Sequence, residues 1–446
     1  MDLLALDIGS SSVKCAVLRG PHRPRNLVRA PYPTRHAGQR VEVDPNTLLK
    51  ALATAIGQLG QTARRVDAVA LSVMSPAWVA MDAAGKPLTP IITHQDRRSI
   101  DVAIELERRI GKDRFLQLAG NRPVPGGISV TTWAWYLQNE PQSLRRADLV
   151  GHLNTFLQRQ MTGSRVIDPS NASFTGLYRS VDQGGWSTEL CEAVGIPLRL
   201  LPDVIEANVI GGTVAREAGS RFGLTEGTPV LAGLVDTSSA MLLSGAAVGQ
   251  LTNNCGSTDV LGLCTERALP HERLLTRALG VGKRWMSVAT LAAAGSALEW
   301  AGTQFFRDLP RPKFWKLVAS LARGSRKARR KRDVGPPAGT VRFDPYLAGE
   351  RTSVEQRWGA FTGLTLATTR EQMLAAVIEA LAEASAARIE LFRQLGVPMR
   401  RRVMLTGGAQ GELADLLHRD WKGGWTFYVE EEATMRGLAC LEPITR

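Results

Sequence analysis

Cysteine is scarce in this chain. The five among 446 residues, Cys15, Cys191, Cys255, Cys264 and Cys440, are scattered, with no C-x-x-C pair and no histidine at metal-ligand spacing. That pattern excludes a disulfide framework and a structural zinc site, and predicts reduced thiols. No run approaches the roughly 18 apolar residues needed to span a bilayer. There is also no charged segment followed by a signal-type apolar stretch, because the chain enters an apolar strand at Leu3; the expected location is cytoplasmic, with no membrane partner.

Acidic residues are missing from one tract. Between Arg311 and Arg332 stand Lys313, Lys316, Arg323, Arg326, Lys327, Arg329, Arg330 and Lys331 with no Asp or Glu among them, and they carry much of the net charge of +13. Without a nucleic-acid-binding fold or interleaved aromatics, the tract reads as a solvated loop or helix end ahead of Gly335-Pro336-Pro337, suited to attracting anionic nucleotides or sugar phosphates. Nucleic acid is therefore not an expected partner. What remains is ordinary for a soluble globular protein, 44% hydrophobic and 22% charged, at a length of 446 residues that predicts two domains.

Against these absences, residues 3 to 18 stand out. LLALDI reads as a buried strand ending near Asp7, VKCAVL as its hairpin partner, and Gly9, Ser10, Ser11 and Ser12 as the turn between them. A glycine that admits close backbone approach, hydroxyl donors, successive turn N–H groups and Lys14 together suit an anion, leaving Asp7 for a cation or a water. A plain hairpin with a serine-rich turn is the alternative reading. Further strands are expected at 66 to 73 and 77 to 82, and helices at about 99 to 118, 130 to 139 and 152 to 161.

The pattern then recurs. VLAGLVDTSSAMLLSGA places an apolar strand before Asp236, and QLTNNCGSTDVLGLC repeats strand, Gly-hydroxyl turn and strand, with Gly256, Ser257 and Thr258 at the turn. Two related α/β domains, 1–227 and 228–446, would set one phosphate turn on each side of a cleft. A long helix is expected over 371 to 395, stopped at Gly396, and a strand at 403 to 405 running into Thr406-Gly407-Gly408.

In order and spacing, LALDIGSSSVK, HQDRRS, GTPVLAGLVDTSSA, NNCGSTDVL, FDPYLAGERTS, WGAFTGLTL and MLTGGAQGEL resemble the FGGY family of carbohydrate kinases, within the superfamily of actin, hexokinase and the heat-shock ATPases. The resemblance covers nearly the whole chain. It implies two ribonuclease-H-like α/β domains closing over a catalytic cleft, with sugar held mainly by the first and ATP mainly by the second. It implies Asp236 as catalytic base, with helix capping as its structural alternative, and Asp7 with Asp236 as the carboxylates that position Mg²⁺. The phosphate-binding residues would be Gly9, Ser10, Ser11, Ser12, Lys14, Gly256, Ser257 and Thr258, and the turn near the adenosine Gly407, Gly408, Ala409 and Gln410. Gly295 and Ser296 fall near that pocket or simply open a helix.

On the sugar side the carried-over residues are Asp96, Arg98 and Trp78. Asp96 and Arg98 have a salt bridge as their alternative role, and Trp78 a place in the core. His94 stands where the family has tryptophan, and the Gln-Met-His-Gly element of xylulose kinases is absent. The expected reaction is transfer of the γ-phosphate of ATP to a hydroxyl of a small ketose or polyol, a pentulose such as xylulose or ribulose first. Glycerol, a deoxyhexulose or a heptulose, and a non-catalytic sugar- or nucleotide-sensing protein, are the alternatives. Related kinases often form dimers, which leaves a homodimer open.

Overall fold

The computed structural model describes residues 1–329, 340–408 and 411–444. Its first lobe grows from the strand Leu3–Ile8, all six residues of which are buried. Leu3–Ile8 pairs antiparallel with Ser12–Leu18 and parallel with Ala68–Val73. Val28–Pro31 extends the sheet on one side, and Pro229–Leu231 and Ile210–Thr213 on the other. Each of the fully buried Leu4, Leu6 and Ile8 contributes roughly 1.5–3 kcal/mol of burial free energy, which is why this strand is continuously apolar up to Asp7.

The second lobe repeats the plan. Leu251–Cys255 pairs antiparallel with Asp259–Thr265 and parallel with Arg402–Thr406, with Trp285–Leu291 and Thr426–Val429 outside them. Mixed α/β lobes, each built on a hairpin with a parallel neighbour, are thus the architecture predicted from the internal repeat. The first lobe carries an additional five-stranded sheet, in which Ala77–Met81 lies between Ile91–Thr93 and Leu149–His152.

Boundaries differ from expectation in places. Pro229–Leu231 and Leu234–Val235 hydrogen-bond to Ala68–Val73, so a division at 227/228 would cut through the first sheet. The two apolar runs share one sheet because Gly233 turns the chain between them. The helix expected over 99–118 is two helices, Ile100–Ile110 and Lys112–Ala119, broken at Gly111, where φ is +97°. The long helix runs Arg370–Gln394, opened by a capping box between Thr369 and Gln372.

The basic tract begins as the helix Arg311–Arg329, with Phe314 and Val318 buried in the second lobe's core and Lys313, Lys316 and Arg323 exposed, which is the helical of the two expected forms. Arg330, Lys331 and Arg332 lie outside the described residues. A last helix, Ala433–Leu438, returns to the first lobe, where Met435, Leu438 and Leu441 pack with Leu3 and Ala5. Among the described residues no helix is long and apolar enough to cross a membrane.

Candidate active site

Asp7 sits one residue from the end of a strand whose neighbours hold it from both sides, opposite Lys14 in the hairpin and Ser72 in the parallel strand. Asp236 opens the helix Asp236–Leu243, immediately after the short strand Leu234–Val235. Its Oδ1 accepts the N–H of Thr237 at 2.6 Å. Val235 is the N-cap and no side chain caps this helix, so helix capping does not account for the Asp236 carboxylate.

Both carboxylates line one cavity of about 570 Å³, together with Gly9, Ser10, Ser11, Ser12, Lys14, Asn254, Thr406, Gly407 and Gly408. The predicted first turn, the predicted base and the predicted third turn therefore meet in one space between the lobes. Gly407, at φ +99°, could not carry a side chain, because a Cβ there would stand 2.5 Å from Asn254 Oδ1 and against the carbonyl of Cys255.

Gly256 and Ser257 line an adjoining cavity of about 510 Å³ with Gly295, Glu299, Arg311, Trp315, Gly408, Glu412 and Leu413. Gly408 borders both cavities. Thr258 holds the second turn closed, its carbonyl accepting the N–H of Gly256 at 2.9 Å. The start of the helix Gly295–Phe305 is tied to the same turn, since the N–H groups of Gly295 and Ser296 donate to the carbonyls of Gly256 and Ser257 at 3.0 and 3.1 Å. Ala409 and Gln410 lie outside the described residues.

Charge shapes the first cavity. Burial, opposed by Lys14 and reinforced by Asp236 and Glu432, pushes Asp7 up to about 7. Asp236 is also raised, by burial first, against the pull of Arg277 and Arg351. Two carboxylates that burial and mutual repulsion disfavour as anions suit a divalent cation, which would restore both to the charged form. Glu432, from the turn before the last helix, pairs with Lys14 at 2.6 Å and also lines the cavity.

The sugar-side expectations fail for three residues. Trp78 is buried and tilted against Tyr136 at 5.2 Å within a packed cluster, so its ring is core. Asp96 is fully engaged: Arg98 Nε and Nη2 donate to its Oδ1 and Oδ2 at 3.0 and 2.7 Å, and the N–H of Val41 to Oδ2 at 2.7 Å. Arg98 also reaches Glu42 at 2.5 Å. This buried ion network holds the turn after Ile91–Thr93 and leaves no carboxylate oxygen for a ligand. Its neighbours His94 and Arg97 instead face Arg351 of the second lobe.

Sequence reasoning missed Asn254, Thr406, Glu432, Arg277 and Arg351. For Asn254 a signal existed, because N-C-G stands in the repeat where D-I-G stands in the first copy. For Arg277 none did, since only the pairing of Leu275–Ala278 in the second sheet brings it beside the helix of Asp236.

Comparison with known proteins supplies the remaining observations. Residues 3–243 match the N-terminal domain, and residues 251–412 the C-terminal domain, of the FGGY family of carbohydrate kinases. A xylulose kinase of Streptomyces coelicolor is 27% identical over 86% of this chain and 75% of its own length. The crystal structure of xylulose kinase from Rhodospirillum rubrum superposes with a TM-score of 0.83 at 22% identity, covering 99% of this chain and 90% of that one. Gluconate kinase from Lactobacillus acidophilus gives 0.84 at 18%, covering 99% and 88%. At such identities the two structures speak for the fold alone.

Proposed function

Since the chain belongs to the FGGY family of carbohydrate kinases and is an ATP-dependent sugar kinase, we propose that Asp236 is its catalytic base and that the cavity shared by Asp7 and Asp236 takes the phosphates of ATP. One observation carries the reading. Two carboxylates, a hydroxyl-rich turn from the first lobe and Gly407-Gly408 from the second line a single space. Phosphoryl transfer asks chiefly for position and charge neutralisation, which turns converging from two lobes supply.

In this mechanism the acceptor hydroxyl lies against Asp236, and its proton passes to the carboxylate as its oxygen bonds to the γ-phosphorus. The bond to the β-phosphate oxygen breaks, and ADP leaves with that electron pair. Burial raises the proton affinity of Asp236, which favours its acting as acceptor. Gly9, Ser10, Ser11, Ser12 and Lys14 receive the phosphates from the first lobe, and Gly407 and Gly408 from the second. Gly256 and Ser257 in the adjoining cavity guide the rest of the nucleotide, with Trp315 offering a flat apolar face to its base. Mg²⁺, when bound, neutralises phosphate charge, and Asp7 and Asp236 are the residues that would hold it.

For the acceptor, the xylulose kinase relative favours a small sugar of pentulose size. The test is ADP release with Mg-ATP over a panel of ketoses and polyols, for the wild type and for Asp236→Asn. Turnover that depends on one acceptor and is lost in the variant, with ATP still bound, supports the reading. An Asp236→Asn enzyme of undiminished rate would remove Asp236 as base.

A further inference from the structure

Two arginines with unpartnered N–H groups, Arg277 and Arg351, act on Asp236, and a third, Arg97, stands beside Arg351. Arg277, 1% exposed, donates Nη2 to Thr237 Oγ1 at 2.5 Å and leaves Nε and Nη1 without partners. Arg351, 9% exposed, spans the lobes by donating Nη2 to the carbonyl of Gly126 at 3.0 Å, and its Nε has no partner. Arg97 donates Nη1 to the carbonyls of His94 and Asp96 at 2.9 and 3.0 Å and leaves Nε free, as His94 leaves Nδ1. Burial lowers all three guanidinium groups to about 10 and His94 to about 3; Arg97 lowers Arg351 further, and both lower His94.

Hydrogen-bond capacity decides what fits this cluster. Asp96 is committed to Arg98 and Val41, and Asp168 to Ser170, Asn171 and Asn154, so that Asp236 and Glu350 are the carboxylates left facing the arginines. Glu350 Oε1 accepts the N–H groups of Arg351 and Thr352 and the Thr352 hydroxyl. Buried donors without acceptors are costly, and adjacent like charges add to the cost. A neutral sugar offers hydroxyl and carbonyl acceptors but no charge to set against the guanidinium groups. A carboxylate offers paired oxygens that match the guanidinium fork and cancels charge between two arginines.

Resting on the reading of this cleft as a kinase's acceptor site, but replacing the neutral pentulose that the relatives favour, we propose that the acceptor is a polyhydroxy acid, an aldonate or uronate of five or six carbons. Its carboxylate lies between Arg97 and Arg351, Arg277 serves an oxygen nearer the reacting end, and a hydroxyl faces Asp236. His94, neutral and with a free ring nitrogen where the family has an indole, adds a polar contact in place of an apolar wall.

The test compares ADP release by the full chain with Mg-ATP for xylulose and ribulose against xylonate, gluconate and glucuronate. Calorimetric titration of the same compounds into wild type, Asp236→Asn and Arg97→Met accompanies it. At least one acid is expected to exceed every ketose in kcat/KM by tenfold or more. Arg97→Met is expected to shrink that ratio by tenfold or more, mainly through KM, and Arg97→Lys, which keeps the charge and loses the fork, to fall between. An acid that binds wild type and Asp236→Asn but not Arg97→Met, without any turnover, upholds the acidic ligand while refuting the kinase reading. A ketose that outruns every acid overturns the proposal with the kinase intact. Failure of every acid to bind or react overturns it as well.

Discussion

The two hairpin turns that face the cleft share a backbone plan and differ in charge. In each, a buried strand runs into a glycine whose N–H closes the turn, Gly9 onto the carbonyl of Ser12 at 3.1 Å and Gly256 onto that of Thr258 at 2.9 Å. Four residues separate the paired Ile8 and Val13, and three separate Cys255 and Asp259. Two residues before the glycine, the first copy has Asp7 opposite Ser72, and the second has Asn254 opposite Thr406. The acid that the second copy does possess, Asp259, is buried against Arg388 of the long helix and Asn253. A repeated fold can thus keep its turn geometry while presenting an acid at one copy and an amide at the other.

Replacing Asp236, the proposed base, gives the largest expected effect. Asp236→Asn should lower kcat by roughly 10²–10⁴-fold, measured in steady state, with ATP affinity by titration nearly unchanged. Asp7→Asn makes the first turn as neutral as the second. It should weaken apparent Mg²⁺ affinity roughly ten- to a hundredfold in a kinetic titration of the metal, whereas Asn254→Ala should leave that affinity close to wild type.

Glycine substitutions sharpen the comparison on the backbone side. Gly407→Ala meets Cys255 and Asn254 at a positive φ and should cost roughly 1–3 kcal/mol in urea denaturation. Gly9→Ala, whose nearest contact would be 3.7 Å away, should cost under about 1 kcal/mol.

A further effect concerns pH. Because the folded protein holds Asp7 up at about 7, above its ordinary 3.8, the folded state binds the extra proton across that window. Its contribution to stability is complete below the ordinary value and is lost as pH rises through 7. The Tm of the ligand-free wild type should therefore fall between pH 5 and pH 8 more steeply than that of Asp7→Asn. Equal slopes would show that Asp7 does not titrate there.

Much of the phosphate side was legible because it is written in contiguous letters. Strand, turn and strand lie within residues 3–18, and the repeat at 251–265 copies them, so local periodicity locates both turns. The acceptor side is assembled from distant segments. Trp78 and Asp96 carry the residue types that bind sugars, yet alternation along Ala77–Met81 does not say which face of that sheet the helix Val130–Asn139 covers, and Tyr136 on that helix claims Trp78. The oxygens of Asp96 are taken by Arg98 two residues away and by the N–H of Val41 from a neighbouring strand. Arg277, Arg351 and Arg97 meet only after both sheets have formed and the loop around residue 351 has crossed to Gly126.

The return of residues 433–441 to the first lobe couples two distant parts of the chain. Leu3 and Ala5 are covered by Met435, Leu438 and Leu441, far along the sequence. The helix of Asp236 leans on the same segment, since Gly437 packs directly on the carbonyl of Ser239 and Ser239 Oγ donates to the carbonyl of Thr434 at 2.6 Å. Completion of the first sheet and placement of Asp236 therefore depend on contacts of high sequence separation, the kind that slows folding.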